Sequence, residues 1–307
     1  MSDYHHLRHF KEQAASRRTL WITLLLTLFF TVVEVIGGLL SHSLALLSDS
    51  AHMISDVFAL GLSMTAIYLA ARPPTARFTF GYLRFEIIAS FLNGLALVVI
   101  AAGIFVEGGR RFFSPETIDF RLMLVIASIG LVVNVVLTVV LSRSMKEERN
   151  LNVQSALWHF LGDLLSSIGV IVSALLIYWT NWIAIDPIIS IVIGCVIAAG
   201  GIRIIRESYL ILMESVPGQF DLEEIRSAIR SVEGVEDVHE LHLWAVSTDH
   251  YSLTAHVFLR SGAAPYDAIL AMNEKLEQAY GIRHVTIQTE HAGIHPHGEY
   301  GRRFLGR

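Results

Sequence analysis

Two pairs of residues have types that do not suit their surroundings. His52 and Asp56 lie inside one apolar run, and His159 and Asp163 inside another. Ionisable groups are costly in a bilayer and usually mark a pathway. Each pair is spaced by four, so on a helix its members share one face, a turn apart. Two such helices facing each other gather two imidazoles and two carboxylates around one point. That is a closed tetrahedral set of nitrogen and oxygen ligands, which Zn2+ accepts readily. One His-x-x-x-Asp pair could be a local hydrogen bond packing a bundle; two copies in two apolar spans point to a metal site. Metal needs neutral imidazole and ionised carboxylate, so protons compete with it. Zn2+ with two neutral histidines and two aspartates sums to zero charge, and so do two protonated histidines with the same aspartates. Exchange of metal for protons thus leaves no net charge in lipid.

Two further acids lie in the same runs. Asp49, three residues before His52, falls on nearly the same helix face. It either orients His52 or caps its helix near the outer surface. Glu34 has no obvious partner in the sequence and reads as a pathway or proton-relay residue.

These groups need helices that cross a membrane. Of the 307 residues, 53% are hydrophobic and only 17% charged, too few for the surface of a soluble globular protein. The mean hydropathy is +0.53. The apolar runs predict six spans, at about 20–40, 43–70, 86–106, 122–141, 152–179 and 185–205, each near the ~20 residues a helix needs to cross. The N-terminus has no small-residue cleavage site, so the first run reads as a true span. Arg8, Lys11, Arg17, Arg18, Arg72, Arg77, Arg84, Arg143, Lys146 and Arg149 fall on one side of such a topology. The positive-inside bias then puts both termini in the cytoplasm, against which Arg110, Arg111 and Arg121 run. No acidic or basic tail suggests nucleic acid. The single cysteine, Cys195, forms no disulfide framework and reads as a small buried hydrophobe.

After Met213 the composition changes. Val216-Pro217-Gly218 is a linker with turn chemistry. An amphipathic helix over 220–229 follows, with Asp221 as N-cap and Glu224 three residues on. Strands are expected over 238–246 and 251–259, a helix over 265–280 and an alternating strand over 284–290. The order α-β-β-α-β predicts a small α+β ferredoxin-like domain of about 75 residues, marginal alone and in need of dimerisation or metal. Trp244 reads as core. The division expected is a cytoplasmic segment 1–18, a transmembrane domain 19–214, a cytoplasmic α+β domain 215–292 and a tail 293–307.

The stretch Ser43-Leu-Ala-Leu-Leu-Ser-Asp-Ser-Ala-His52-Met-Ile-Ser-Asp56 resembles the second-helix signature of the cation diffusion facilitator family. Asn150-Leu-Asn-Val with Ala156-Leu-Trp-His159-Phe-Leu-Gly-Asp163 resembles its fifth-helix signature. The likeness runs from about Thr19 to Glu290. It implies a homodimer that alternates between inward- and outward-facing states, with a cytoplasmic domain that binds metal. The His/Asp pair in the second helix is similar to the zinc-exporting branch; members with a broader or manganese-preferring range typically have Asp at the position of His52. The loop Thr75-Ala-Arg-Phe-Thr-Phe-Gly-Tyr-Leu-Arg-Phe-Glu86 holds no His or Asp, so a second metal site found there in some members is not expected. The loop 143–150 is short and lacks the histidines of eukaryotic members, which favours a bacterial exporter. His5, His6, His9, His291, His295 and His297 are either solvated tail or weak metal collectors.

The resemblance also implies that His239, His256 and Glu290 are cytoplasmic metal ligands, with His242 and His284 as further candidates and Gln288 where some members have histidine. It suggests a salt bridge between Arg84 and Glu214 at the membrane surface. The expectation is therefore a homodimeric six-span secondary transporter of the inner membrane that exchanges cytoplasmic Zn2+ for protons. An enzyme is disfavoured, because four protein ligands close the position a catalytic zinc keeps open and no His-Glu-x-x-His occurs. A metal-sensing receptor with a structural intramembrane site is the other alternative, and it would show no flux.

Overall fold

A computed structural model describes residues 2–70, 72, 74–144, 151–248 and 250–290; the side chains of 2–20, 23, 63, 66, 67, 70, 137, 138, 140–144 and 151–163 lie outside that description. The terminal histidines fall outside it too. Six long helices come first: α1 Ser2–Ser41, α2 Leu44–Ala70, α3 Arg84–Phe113, α4 Phe120–Ser144, α5 Leu151–Thr180 and α6 Ile185–Leu212. Helix α1 starts far upstream of its apolar part. Among the described residues, Leu24–Ser41, α3 and α6 are long and apolar enough to cross a membrane, and Phe120–Val136 and Leu164–Thr180 are shorter apolar stretches. Helix α2 carries Asp49, His52 and Asp56, which dilute its apolar character. Many large apolar side chains face outward, among them Phe29, Leu92, Val106 and Leu165. Cys195 is exposed on α6, which corrects its reading as buried.

The described residues group into two units, 1–71 with 89–205, and 72–88 with 206–307. In the first, α1 packs on α2 and α4, and α5 packs on α4 and α2. Its core combines Ala45 and Leu46 from α2, Leu97 and Ile104 from α3, Met123 from α4, Val170 from α5 and Ile193 from α6. Helices α3 and α6 meet through glycines. A Cβ at Gly201 would lie 2.9 Å from the Gly94 carbonyl oxygen, a backbone atom that cannot swing away. Small residues permit such contact between membrane helices. Gly201→Val is therefore expected to destabilise the helical unit by about 1–3 kcal/mol, seen as a lower melting temperature in detergent.

The second unit continues α7 Leu222–Arg230, β1 Val235–Ser247, β2 His250–Leu259, α8 Pro265–Tyr280 and β3 His284–Glu290. This is the element order expected from the sequence. The sheet order is β1-β2-β3. β1 pairs antiparallel with β2, and β2 pairs parallel with β3, a connection that requires the crossover helix α8. Asp221 caps α7, its side chain accepting from the backbone N–H groups of Glu223 and Glu224. Glu224 accepts the Tyr280 hydroxyl at 3.1 Å, tying α7 to α8. The core joins Ile225 and Ile229, Met272 and Leu276 to Leu241, Leu243, Leu253 and Val257. Trp244 is only half-buried. Leu241 and Leu243 take the core face of β1, and the alternation over 241–244 leaves Trp244 on the other side.

Candidate metal centres

Helix α2 is anchored at its first turn by a residue far away in sequence. Asp186, at the start of α6, accepts from Ser43 Oγ at 2.6 Å, from the Leu44 N–H at 2.7 Å and from the Ala45 N–H at 3.3 Å. Ser43 Oγ accepts the Leu46 N–H at 3.1 Å. These bonds satisfy the donors that every helix start leaves open. Asp49 is buried and accepts from Ser166 Oγ, and from Ser167 Oγ at 3.3 Å, both on α5. It therefore joins α2 to α5, while the cap belongs to Asp186. Asn134 of α4 donates to Ser167 Oγ at 3.1 Å.

His52 and Asp56 are half-buried, one turn apart on α2. His159 and Asp163 lie on α5, but their side chains fall outside the described residues. Glu34, on α1, is fully buried.

The sheet carries a second constellation. Among the described residues, His239, His256 and Glu290 form a group whose ligand atoms lie within 4.8 Å of one another. His239 and His256 are cross-strand partners on β1 and β2, and Glu290 ends β3 opposite Phe258. His256 Nδ1 is 3.0 Å from Glu290 Oε1, and His239 Nε2 is 3.4 Å from Glu290 Oε2. His239 stacks on Phe258 at 4.8 Å, which holds its ring. His239 Nδ1 and Glu290 Oε2 are buried without a hydrogen-bond partner among the described residues. An orphaned nitrogen on one imidazole and an orphaned carboxylate oxygen, beside a second imidazole, fit a divalent metal ion. Gln288 Nε2 donates to Glu290 Oε1 at 3.0 Å. His242 and His284 are exposed and stand outside the group. His284 instead meets the edge of Phe80 at 5.6 Å.

One carboxylate at this site escapes a reading of the sequence. The ladder slips between His239 and His242, and Glu240 there has φ +47°. A non-glycine residue in that region costs energy and often marks a functional position. The bulge brings Glu240 Oε2 to 3.6 Å from His256 Nε2. Simple alternation gives no signal for it, because a bulge breaks the period of two.

Arg84, at the start of α3, lies 2.6 Å from Glu214, just beyond α6. Both belong to the second unit, where Glu86 also accepts the Thr248 hydroxyl at 3.0 Å. The two side chains are 41% and 56% exposed, so the pair contributes only about 0–1 kcal/mol to stability. Its expected role is mechanical. In a double-mutant cycle on transport, Arg84→Ala, Glu214→Ala and the double variant should slow flux to the same extent; independent, additive losses would show that the charges do not act together.

Two family descriptions match this chain, "Cation efflux transmembrane domain" over residues 20–213 and "Cation efflux protein, cytoplasmic domain" over residues 217–292. It is 39% identical over 285 residues to the "Zinc transporter ZitB" of Pectobacterium atrosepticum, covering 92% of this chain and 88% of that one. It is 35% identical over 284 residues to the "Cadmium, cobalt and zinc/H(+)-K(+) antiporter" of Bacillus subtilis, covering 92% and 91%. Among solved structures, the metal-bound C-terminal domain of the CzcD transporter from Cupriavidus metallidurans is 36% identical, with 23% of this chain and 99% of that one covered and a TM-score of 0.22. The two matched regions leave little of the chain outside them, and with the two full-length relatives at 39% and 35% identity they show that it belongs to the cation efflux, or cation diffusion facilitator, family.

Proposed function

We propose that this chain exports Zn2+ from the cytoplasm in exchange for protons, carrying the ion between His52 and Asp56 of α2 and His159 and Asp163 of α5. The chain is a multi-pass membrane transporter and not an enzyme. The names of its relatives, a zinc transporter and a cadmium, cobalt and zinc antiporter, support divalent-metal efflux by antiport.

The observation that carries the assignment is the seam between α2 and α5. Asp49 bonds to Ser166 and Ser167. In alternating helices α2 and α5 run antiparallel. One turn from Asp49 along α2 comes His52, and one turn back from Ser166 along α5 comes Asp163. A further turn reaches Asp56 and His159. This register supports a single four-ligand centre.

His239, His256 and Glu290, with Glu240 beside them, are proposed to hold a structural or regulatory ion, and the protein to work as a homodimer with both termini in the cytoplasm of the inner membrane. Arg110 and Arg111, which run against that orientation, are ion-paired to Glu107 and Glu116. The proposed division is a transmembrane domain over 19–214 and a cytoplasmic domain over 215–292.

Uptake into sealed proteoliposomes, measured for Zn2+, Cd2+ and Co2+ with and without a pH gradient, tests the reading. Zn2+ should enter faster when the lumen is acid. Metal binding without flux would mark a receptor instead.

A further inference from the structure

Glu34 sits in the apolar part of α1, fully buried, and neither of its carboxylate oxygens has a hydrogen-bond partner among the described residues. A carboxylate left without donors in a membrane is costly, and such residues persist where a cation comes and goes. Its immediate neighbours come from α1 and α4. Oε1 lies against Gly130 of α4, where a Cβ would come within 2.6 Å of it. Asn134 follows Gly130 by one turn on the same face of α4 and bonds to Ser167 of α5. Ser167 bonds in turn to Asp49 of α2, the charge whose field acts on Glu34. Asp49 is thus the charged group of α2 that acts on Glu34, α4 lays Gly130 against it, and Ser166, Ser167 and Asn134 are reached through Asp49.

The series Glu34, Asp49, Ser166, Ser167 and Asn134 offers carboxylates, hydroxyls and an amide. Oxygen sets of this kind suit hard cations, whereas the histidines one turn further along α2 suit Zn2+. Asp49 already receives two hydroxyl donors, and Glu34 receives none among the described residues. A cation at Glu34 would supply the partner its oxygens lack among the described residues.

We infer that Glu34 takes up the monovalent cation exchanged for metal, a proton or a potassium ion, and that Asn134, Ser167 and Asp49 link its occupancy to the face of α2 bearing His52. The inference rests on the antiport reading but separates the counter-ion from the metal ligands. It places coupling at the α1–α4 contact, so the two ions need not displace each other from the same atoms.

The test uses the full chain in sealed proteoliposomes. Two quantities are read: exchange of radiolabelled Zn2+ for unlabelled Zn2+ at equal pH and K+, and net Zn2+ entry driven by a pH gradient or by a K+ gradient. In the wild-type chain, whichever gradient accelerates net entry identifies the ion. Glu34→Gln should retain Zn2+ exchange and lose that acceleration, a loss of about tenfold at ordinary coupling strengths. Gly130→Ala, which crowds Oε1 without altering charge, should shift the proton or K+ concentration giving half-maximal acceleration. Full acceleration in Glu34→Gln would overturn the proposal. So would loss of Zn2+ exchange in a folded Glu34→Gln dimer, because Glu34 would then belong to the metal path. If Glu34→Gln does not fold, an unchanged half-point in Gly130→Ala overturns it. If neither gradient moves the wild-type chain, antiport itself fails and the proposal falls with it, while an accelerated wild type with an unaffected Glu34→Gln condemns the assignment of Glu34 alone.

Discussion

Asp56→Ala, His159→Ala and Asp163→Ala should each abolish transport while leaving a folded protein in the membrane. Each would remove one of the four proposed ligands from a closed set. The open position fills with water, and the charge balance between loaded and protonated states is broken. Residues that only orient a ligand typically cost ~10–100-fold when removed. Asp49→Ala, which loses the bonds to Ser166 and Ser167, should fall in that range, and the three ligand variants below it. Initial rates of Zn2+ entry, normalised to the amount of folded protein, rank the four. Near-wild-type flux in any ligand variant contradicts the site.

The second large effect is on selectivity. His52→Asp should relax the preference for Zn2+ toward Cd2+ or Mn2+. The substitution leaves one imidazole and three carboxylates. A carboxylate can bind through one or both oxygens, so the shell can expand around a larger ion or one that favours oxygen. The added negative charge also makes the empty site harder to neutralise with two protons, and the pH dependence of transport should move with it. Zn2+, Cd2+ and Mn2+ flux measured in the same vesicles reads both changes. A normal rate with an unchanged Zn2+-to-Cd2+ ratio would show that His52 does not set selectivity.

The two predictions draw on residues the sequence makes visible for a simple reason. His52, Asp56, His159 and Asp163 are costly types in apolar runs, at a spacing that only a helix turns into a shared face. The C-terminal elements were legible too, because β3 alternates cleanly and α8 opens on Pro265 and closes at Gly281, whose φ of +69° suits a residue without a side chain. What stayed hidden depends on contacts between distant segments. Asp186 reads as an acid at the start of a helix, and nothing local says that it caps α2 at Ser43, 143 residues earlier. The Ser166, Ser167 and Asn134 chain uses residue types common in membrane helices. Glu240 faces His256 only because of a bulge, and Trp244 is half-buried where its size suggests core, because hydrophobicity alone does not say which face of a strand a residue takes. Glu34 was noticed for its charge, while its lack of donors emerges only from its neighbours.

The central claim is that two imidazoles and two carboxylates from α2 and α5 hold one transported ion. X-ray absorption at the zinc edge tests it most directly, on full-length protein whose cytoplasmic group has been disabled by Glu290→Gln with His239→Ala and His256→Ala. The account predicts one bound Zn2+ with four light ligands at about 2.0–2.1 Å, two of them showing the scattering of imidazole rings, and loss of that signal in Asp163→Ala. A six-coordinate oxygen shell, or an unchanged spectrum in Asp163→Ala, would contradict it.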